Sequence, residues 1–217
     1  WHNFIIQHNP RPSEQSAGFE GRMGAGNAHE NPLRDRQHGR IYRLVAKGGT
    51  PSQMLDLSNA STTELVAAFG NDNLFWRMTA QRKLVREQRR DAIPALRDIV
   101  ASDRSVDAIG INPRVIHAIW TLQGLGAFTV TTAAGEQAVA QALTHPAAAV
   151  RKNAVMALTE AGGVENLQSA ASLLDDPDAK IRLKSLLALG LLPSSEENAR
   201  ALFARRTSLP SDPWLAR

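Results

Sequence analysis

The chain has 217 residues, of which 43% are hydrophobic, 21% charged and 5% aromatic, with no cysteine and a formal net charge of +4. This is the balance of a globular protein with a buried core, and the missing cysteine excludes disulfides, thiolate nucleophiles, zinc–cysteine sites, iron–sulfur clusters and a covalent CxxCH haem site. An apolar share built largely of Ala and Leu favours packed helices over a β-sandwich, no apolar run approaches the ~18–20 residues that span a bilayer, and so small a charge excess does not demand nucleic acid.

The chain opens on Trp1-His2-Asn3-Phe4-Ile5-Ile6 without a signal peptide, and is expected to be a processed or truncated piece of something longer. Residues 1–50 lack helical periodicity and are rich in Gly, Asn, Pro and Arg. Two stretches read as strands: Phe4-Ile5-Ile6, and Arg40-Ile41-Tyr42-Arg43-Leu44-Val45, which alternates in character and stops at Gly48-Gly49. The loop between them holds Gly21-Arg22-Met23-Gly24-Ala25-Gly26, which has no strand–turn–helix context and is therefore not a phosphate cradle. Two short strands cannot make a core, so this segment is expected to be ordered only against another polypeptide. His2, His8, His29 and His38, with Glu30 and Asp35, are the candidate metal ligands here. Their spacing fits no zinc or di-iron pattern, and no metal is expected.

From Ser61 the pattern becomes helical. Ser61-Thr62-Thr63-Glu64 is a capping box that opens a helix through Leu65, Val66 and Phe69 and ends at Gly70. Helix pairs follow, separated by Asn71-Asp72-Asn73, Gly110-Ile111-Asn112-Pro113, His145-Pro146, Gly162-Gly163, Asp176-Pro177 and Pro193-Ser194. The second helices align. A small residue recurs at Ala80, Ala118, Ala154 and Ser185, and a Leu four places later at Leu84, Leu122, Leu158 and Leu189, at spacings of 38, 36 and 31 residues. A two-helix unit repeated at about 31–47 residues is the signature of HEAT and armadillo-type arrays, in which each unit buries its apolar stripe only against its neighbours. Pro146 and Pro177 are expected just before each second helix, at or near its first turn. Arg77, Arg151 and Arg182 fall at matching places, with Arg114 nearby. The expected fold is mainly α: a HEAT-like α-solenoid of about four helix pairs behind a short β/loop segment.

Arg77, Arg82, Lys83, Arg86, Arg89 and Arg90 cluster on and after one helix, opposed only by Glu87 and Asp91. Arg82, Arg86, Arg89 and Arg90 are expected near one face, as a solvated surface, as the contact for an acidic protein, or as a ridge gripping phosphates. Trp76 and Trp120 are expected in the core. Trp214, in Leu209-Pro210-Ser211-Asp212-Pro213-Trp214, is either a disordered tail residue or an anchor for a neighbour's groove. No Ser-His-Asp order, paired-carboxylate pattern or P-loop is present, so no catalytic, cofactor or metal residue is assigned.

The ordered series WHNFIIQHNP, NPLRDRQHGRIYRLVAKGG, LSNASTTELVAAFGNDNLFWRMTAQRKL and VIHAIWTLQGLG resembles the junction in large bacterial "membrane-bound dehydrogenase" proteins, over roughly residues 1–190. In that family a β-propeller related to quinoprotein (PQQ-type) sugar dehydrogenases runs into HEAT repeats, often followed by a c-type cytochrome domain. HGRIYR and HAIWTLQGLG are the most specific parts. The resemblance implies an exported, periplasmic or envelope-associated parent, with the cytoplasm as the alternative, and makes residues 1–50 a propeller remnant. It carries over no quinone-binding residue and no haem. Residues 51–206 are then the helical repeats and 207–217 a tail. The expected function is a non-catalytic scaffold that docks protein partners, either other subunits or the missing propeller. The first alternative is a connector in a quinoprotein or cytochrome-type oxidoreductase whose catalytic parts lie elsewhere. The second is a nucleic-acid-binding repeat.

Overall fold

The computed structural model describes residues 47–49, 54–196, 199–200 and 203. Two compact units are distinguished, Trp1–Pro51 and Ser52–Arg217. Of the first, a turn at Lys47 and Gly48 is described, with Gly48 at φ +79°. The expected strands at 4–6 and 40–45, the histidines at 2, 8, 29 and 38, and the tail with Trp214 lie outside the described residues.

In the second unit every described element is helical. Helix α1 (Thr62–Ala67) starts at the capping box: Ser61 N–H donates to Glu64 Oε2 at 2.8 Å, and Glu64 N–H donates to Ser61 Oγ at 3.3 Å. A 3-10 turn over Ala68–Gly70 ends it. Helix α2 (Leu74–Arg86) is capped by Asn73, α4 (Pro113–Gly124) by Asn112, α5 (Ala133–Leu143) by Thr132, and α8 (Ala179–Leu189) by Asp178, each through a side-chain oxygen. Helix α3 (Ile93–Ser102) and α4 carry a proline in their first turn, where no intrahelical donor is lost. Helix α6 (Ala148–Ala161) stops at Gly162 and Gly163, whose φ of +67° and +84° turn the chain into α7 (Val164–Ser169). Pro146 and Pro177 stand just before the second helices, as expected, one residue ahead of the N-caps Ala147 and Asp178.

Four pairs result: α1–α2, α3–α4, α5–α6 and α7–α8. The second helices pack side by side in the order α2, α4, α6, α8, and form one layer. In the other layer α3 lies against α5, and α5 reaches the 3-10 turn that follows α7. The repeating column lies between the layers: Ala80, Ala118, Ala154 and Ser185 are fully buried, as are Leu84, Leu122 and Leu158, with Leu189 only 7% exposed. Small residues let the backbones approach, and the leucines one turn on fill the space this leaves. Trp76 and Trp120 are half-buried against this core rather than inside it.

A second, polar repeat holds the turns between helices. The residue two before each second helix's cap is Asn71, Gly110, His145 or Asp176. In three of the four pairs its side chain accepts the cap residue's N–H: Asn73 to Asn71, Ala147 to His145 Nδ1 and Asp178 to Asp176. An arginine four past the cap then donates to the same residue's carbonyl: Arg77 to Asn71, Arg151 to His145 and Arg182 to Asp176. Arg151 also reaches the next pair, its Nε and Nη2 donating to the two Asp176 carboxylate oxygens at 2.7 and 3.0 Å. The second pair has Gly110 and Ile116 at these two places, so the ladder breaks there. Arg77 Nε is correspondingly buried without a hydrogen-bond partner. The loop 103–112 substitutes its own link. Asn112 Nδ2 donates to Asp103 Oδ1 at 2.9 Å, Arg104 donates to the carbonyls of Gln141 and Thr144, and His145 Nε2 donates to Asp103 O at 2.9 Å. His145 Nδ1 is an acceptor, so Nε2 carries the proton and the buried ring is neutral.

Candidate functional site

The outward face of the second-helix layer follows from the same register. Two places before each small residue stand Met78, Ile116, Lys152 and Leu183, and two places after it Arg82, Trp120, Met156 and Leu187. All eight are half-buried or exposed. Six of the eight are apolar, with Met78 50% and Leu187 55% exposed, so this face is not the charged surface that a solvated helix presents.

At its α2–α4 end the face opens into a depression of about 320 Å³. Helix α2 contributes Met78, Arg82, Val85 and Arg86, and α4 contributes Trp120, Gln123 and Gly124. A Cβ on Gly124 would stand 2.8 Å from Val85 Cγ2, so the valine side chain packs directly on the glycine of the facing helix. Trp120 is held at its edge, with Nε1 donating to Asn153 Oδ1 of α6 at 2.8 Å.

Beneath the groove, Gln81 Oε1 accepts from Nδ1 of His117 at 2.6 Å, and the His117 ring stands 5.7 Å from that of Phe69. Burial, and then the Arg77 charge, push the His117 pKa down to about 4, so the ring is neutral at physiological pH.

The basic run of α2 divides. Arg82 and Arg86 are exposed at the groove and have no hydrogen bond or ion pair among the described residues. Lys83 donates to Ser58 O at 3.0 Å and pairs with Glu87 at 3.0 Å. Arg89 pairs with Glu87 at 2.7 Å and reaches Thr62 Oγ1. Hydrogen bonds from Arg89 and Lys83 hold the Glu87 carboxyl below its ordinary pKa. Arg77 is a ladder residue. Helix α2 ends at Arg86 and Gln88 turns left-handed at φ +52°, so Arg89 and Arg90 lie beyond the helix. Only Arg82 and Arg86 share the groove.

Asn166 was not singled out by sequence. Its Oδ1 accepts from Val130 N–H at 2.9 Å and from Thr129 Oγ1 at 3.1 Å, tying the loop before α5 to α7. Among the described residues no group of three His, Asp or Glu could hold a metal, and no helix is long and apolar enough to cross a membrane.

Stacked helix pairs, one apolar column between two layers and a polar ladder at the turns define an α-solenoid of two-helix repeats. The family model of HEAT repeats matches residues 116–214, and this stretch is similar to HEAT repeats. The pair α1–α2 ahead of it carries the same register. No curated protein matches the chain.

Proposed function

We propose that this chain is a non-catalytic docking module that holds protein partners along the outward face of α2, α4, α6 and α8. The observation that carries the reading is the apolar character of that face, six of eight register positions, on a fold whose repeats generally mediate protein–protein contacts. A face of this composition gains free energy when another polypeptide covers it.

The likeness of HGRIYR and HAIWTLQGLG to the propeller-to-repeat junction of the bacterial "membrane-bound dehydrogenase" family supports an envelope-associated assembly. In it the repeats bracket a propeller or a neighbouring subunit, and this chain carries no cofactor of its own. The same likeness supports the second reading, a connector inside a larger oxidoreductase.

The test is site-specific photocrosslinking in the native cell, with benzoylphenylalanine in place of Met78, Met156 or, on the other layer, Glu136. Polypeptide adducts at positions 78 and 156 and none at 136 are expected. Equal adducts at all three, or none, would overturn the docking reading.

A further inference from the structure

We propose that the groove between α2 and α4 receives a polypeptide segment in which an apolar anchor is flanked by carboxylates; this rests on the docking reading and gives it a place and a chemistry. The lining is largely apolar, with Val85, Met78 and Trp120, and Val85 packs on Gly124 across it. A hollow of about 320 Å³ takes one or two large apolar side chains, at the small end of ligand-sized sites, which start at roughly 300 Å³. Water in such a hollow is released when a Leu, Phe or Trp side chain fills it.

The rim sets the charge. No acidic residue lines the groove, while Arg82 and Arg86 stand one turn apart on its α2 side. Elsewhere in the basic run cations are engaged within the fold: Lys83 and Arg89 share Glu87, and Arg77 donates to the Asn71 carbonyl. Arg82, Arg86 and Arg90 have no side-chain partner among the described residues, and of these Arg82 and Arg86 line the hollow. A guanidinium fork matches a carboxylate with two parallel hydrogen bonds, and two forks a turn apart match two acidic side chains of one segment. Half-buried Gln123 on the opposite wall has a side-chain amide that no described residue engages, available to a peptide carbonyl or N–H.

A nucleic acid fits less well. Two cations neutralise few phosphates, whereas backbone binding needs a longer basic track. The register column continues from Arg82 into Trp120, Met156 and Leu187, which offers a polypeptide more apolar surface and a phosphate nothing.

The experiment selects a displayed library of random-sequence peptides against the full chain, then measures the enriched peptides against variants. Enrichment of sequences that combine Asp or Glu with Leu, Phe or Trp is expected. Their affinity should fall about tenfold or more in the Arg82→Glu/Arg86→Glu double variant and weaken with added salt, because opposed rim charges become like charges. Arg90→Glu, beyond the helix end, should leave it unchanged. Both substituted sites are exposed, and an unchanged melting temperature checks that the fold is intact. Peptides insensitive to Arg82→Glu/Arg86→Glu but lost in Met156→Glu or Leu183→Glu would overturn the groove assignment while leaving docking on the wider face standing. No enrichment at all would overturn the proposal. So would retention of a labelled single-stranded oligonucleotide with the same arginine dependence.

Discussion

His117 and Ser185 are both buried polar groups, and they predict opposite mutational outcomes. His117 is 7% exposed, bonded to Gln81 and held neutral by burial and the Arg77 charge, with a pKa near 4. An unfolded histidine titrates near ~6.5, so between about 6.5 and 4 the unfolded chain binds the proton and the folded chain does not. Stability from this group is complete above the unfolded value and is lost as pH falls towards the folded one, by at most about 1.4 kcal/mol per pH unit. His145, also lowered by burial, acts with the same sign. Urea midpoints compared at about pH 7.5 and about pH 5 should therefore drop in the parent and drop less in His117→Gln. An identical drop in both would place the acid sensitivity elsewhere. Ser185 sits in the small-residue column with its hydroxyl buried and unpartnered. The other three pairs have Ala there, and Ser185→Ala removes the unpaired group while improving helix propensity. A rise of roughly 1 kcal/mol in unfolding free energy is expected; a loss of similar size would mean that the hydroxyl has a partner.

Between elements, the same arginine position serves very different purposes. Arg151, 13% exposed at its side chain, meets both carboxylate oxygens of Asp176, which is 2% exposed, and also the His145 and Pro146 carbonyls. Burial raises the Asp176 pKa, but the Arg151 hydrogen bonds and the Asp178 N–H outweigh it and hold the carboxyl below its ordinary value. Removing the guanidinium leaves that carboxylate buried and two carbonyls bare, so Arg151→Met should cost on the order of 3 kcal/mol. Arg114, more exposed and 3.7 Å from Asp103, should lose no more than about 0.5 kcal/mol in Arg114→Met. Chemical denaturation of the two variants decides it, and equal losses would remove the ladder's role in joining pairs. The helices and their buried columns were legible in the sequence, because a 3.6-residue stripe and the Asn, Gly and Pro breakers are local signals. The ladder was legible only in part. Arg77, Arg151 and Arg182 could be aligned, but Asp176 and His145 read as turn formers, and the partners of each lie 25 and 42 residues away. The groove was legible as a basic run and no further. Which arginines stay free depends on Ser58, Thr62 and Glu87, and nothing in the spacing says that Glu87 takes Lys83 and Arg89 while leaving Arg82 and Arg86 to solvent.

Among the described elements the main contacts of each helix pair run to its neighbouring pairs, so stability is a sum of pair terms and interface terms rather than one shared core. Helix α4 packs on both α2 and α6, and α6 on both α4 and α8, whereas among the described helices α8 has a second-layer neighbour on one side only. Just past the end of α8, Leu191 is 63% exposed, whereas Leu122 of α4 is fully buried. An element with one interface opens at lower free energy than one with two, so native-state hydrogen exchange should be slowest in α4 and α6 and faster in α8. The interface terms also predict how damage spreads. Leu122→Ala leaves a cavity in the middle of the array and should cost about 2–5 kcal/mol, lowering protection in α2, α4 and α6 together. Leu189→Ala removes the corresponding residue from the end pair and should accelerate exchange in α8 while the amides of α4 keep their protection. Exchange followed by mass spectrometry on both variants separates the two patterns. If Leu189→Ala lowered protection uniformly from α2 to α8, the pairs would be one cooperative core, and a partner seated on the α2–α4 groove would stiffen the whole array rather than its own end.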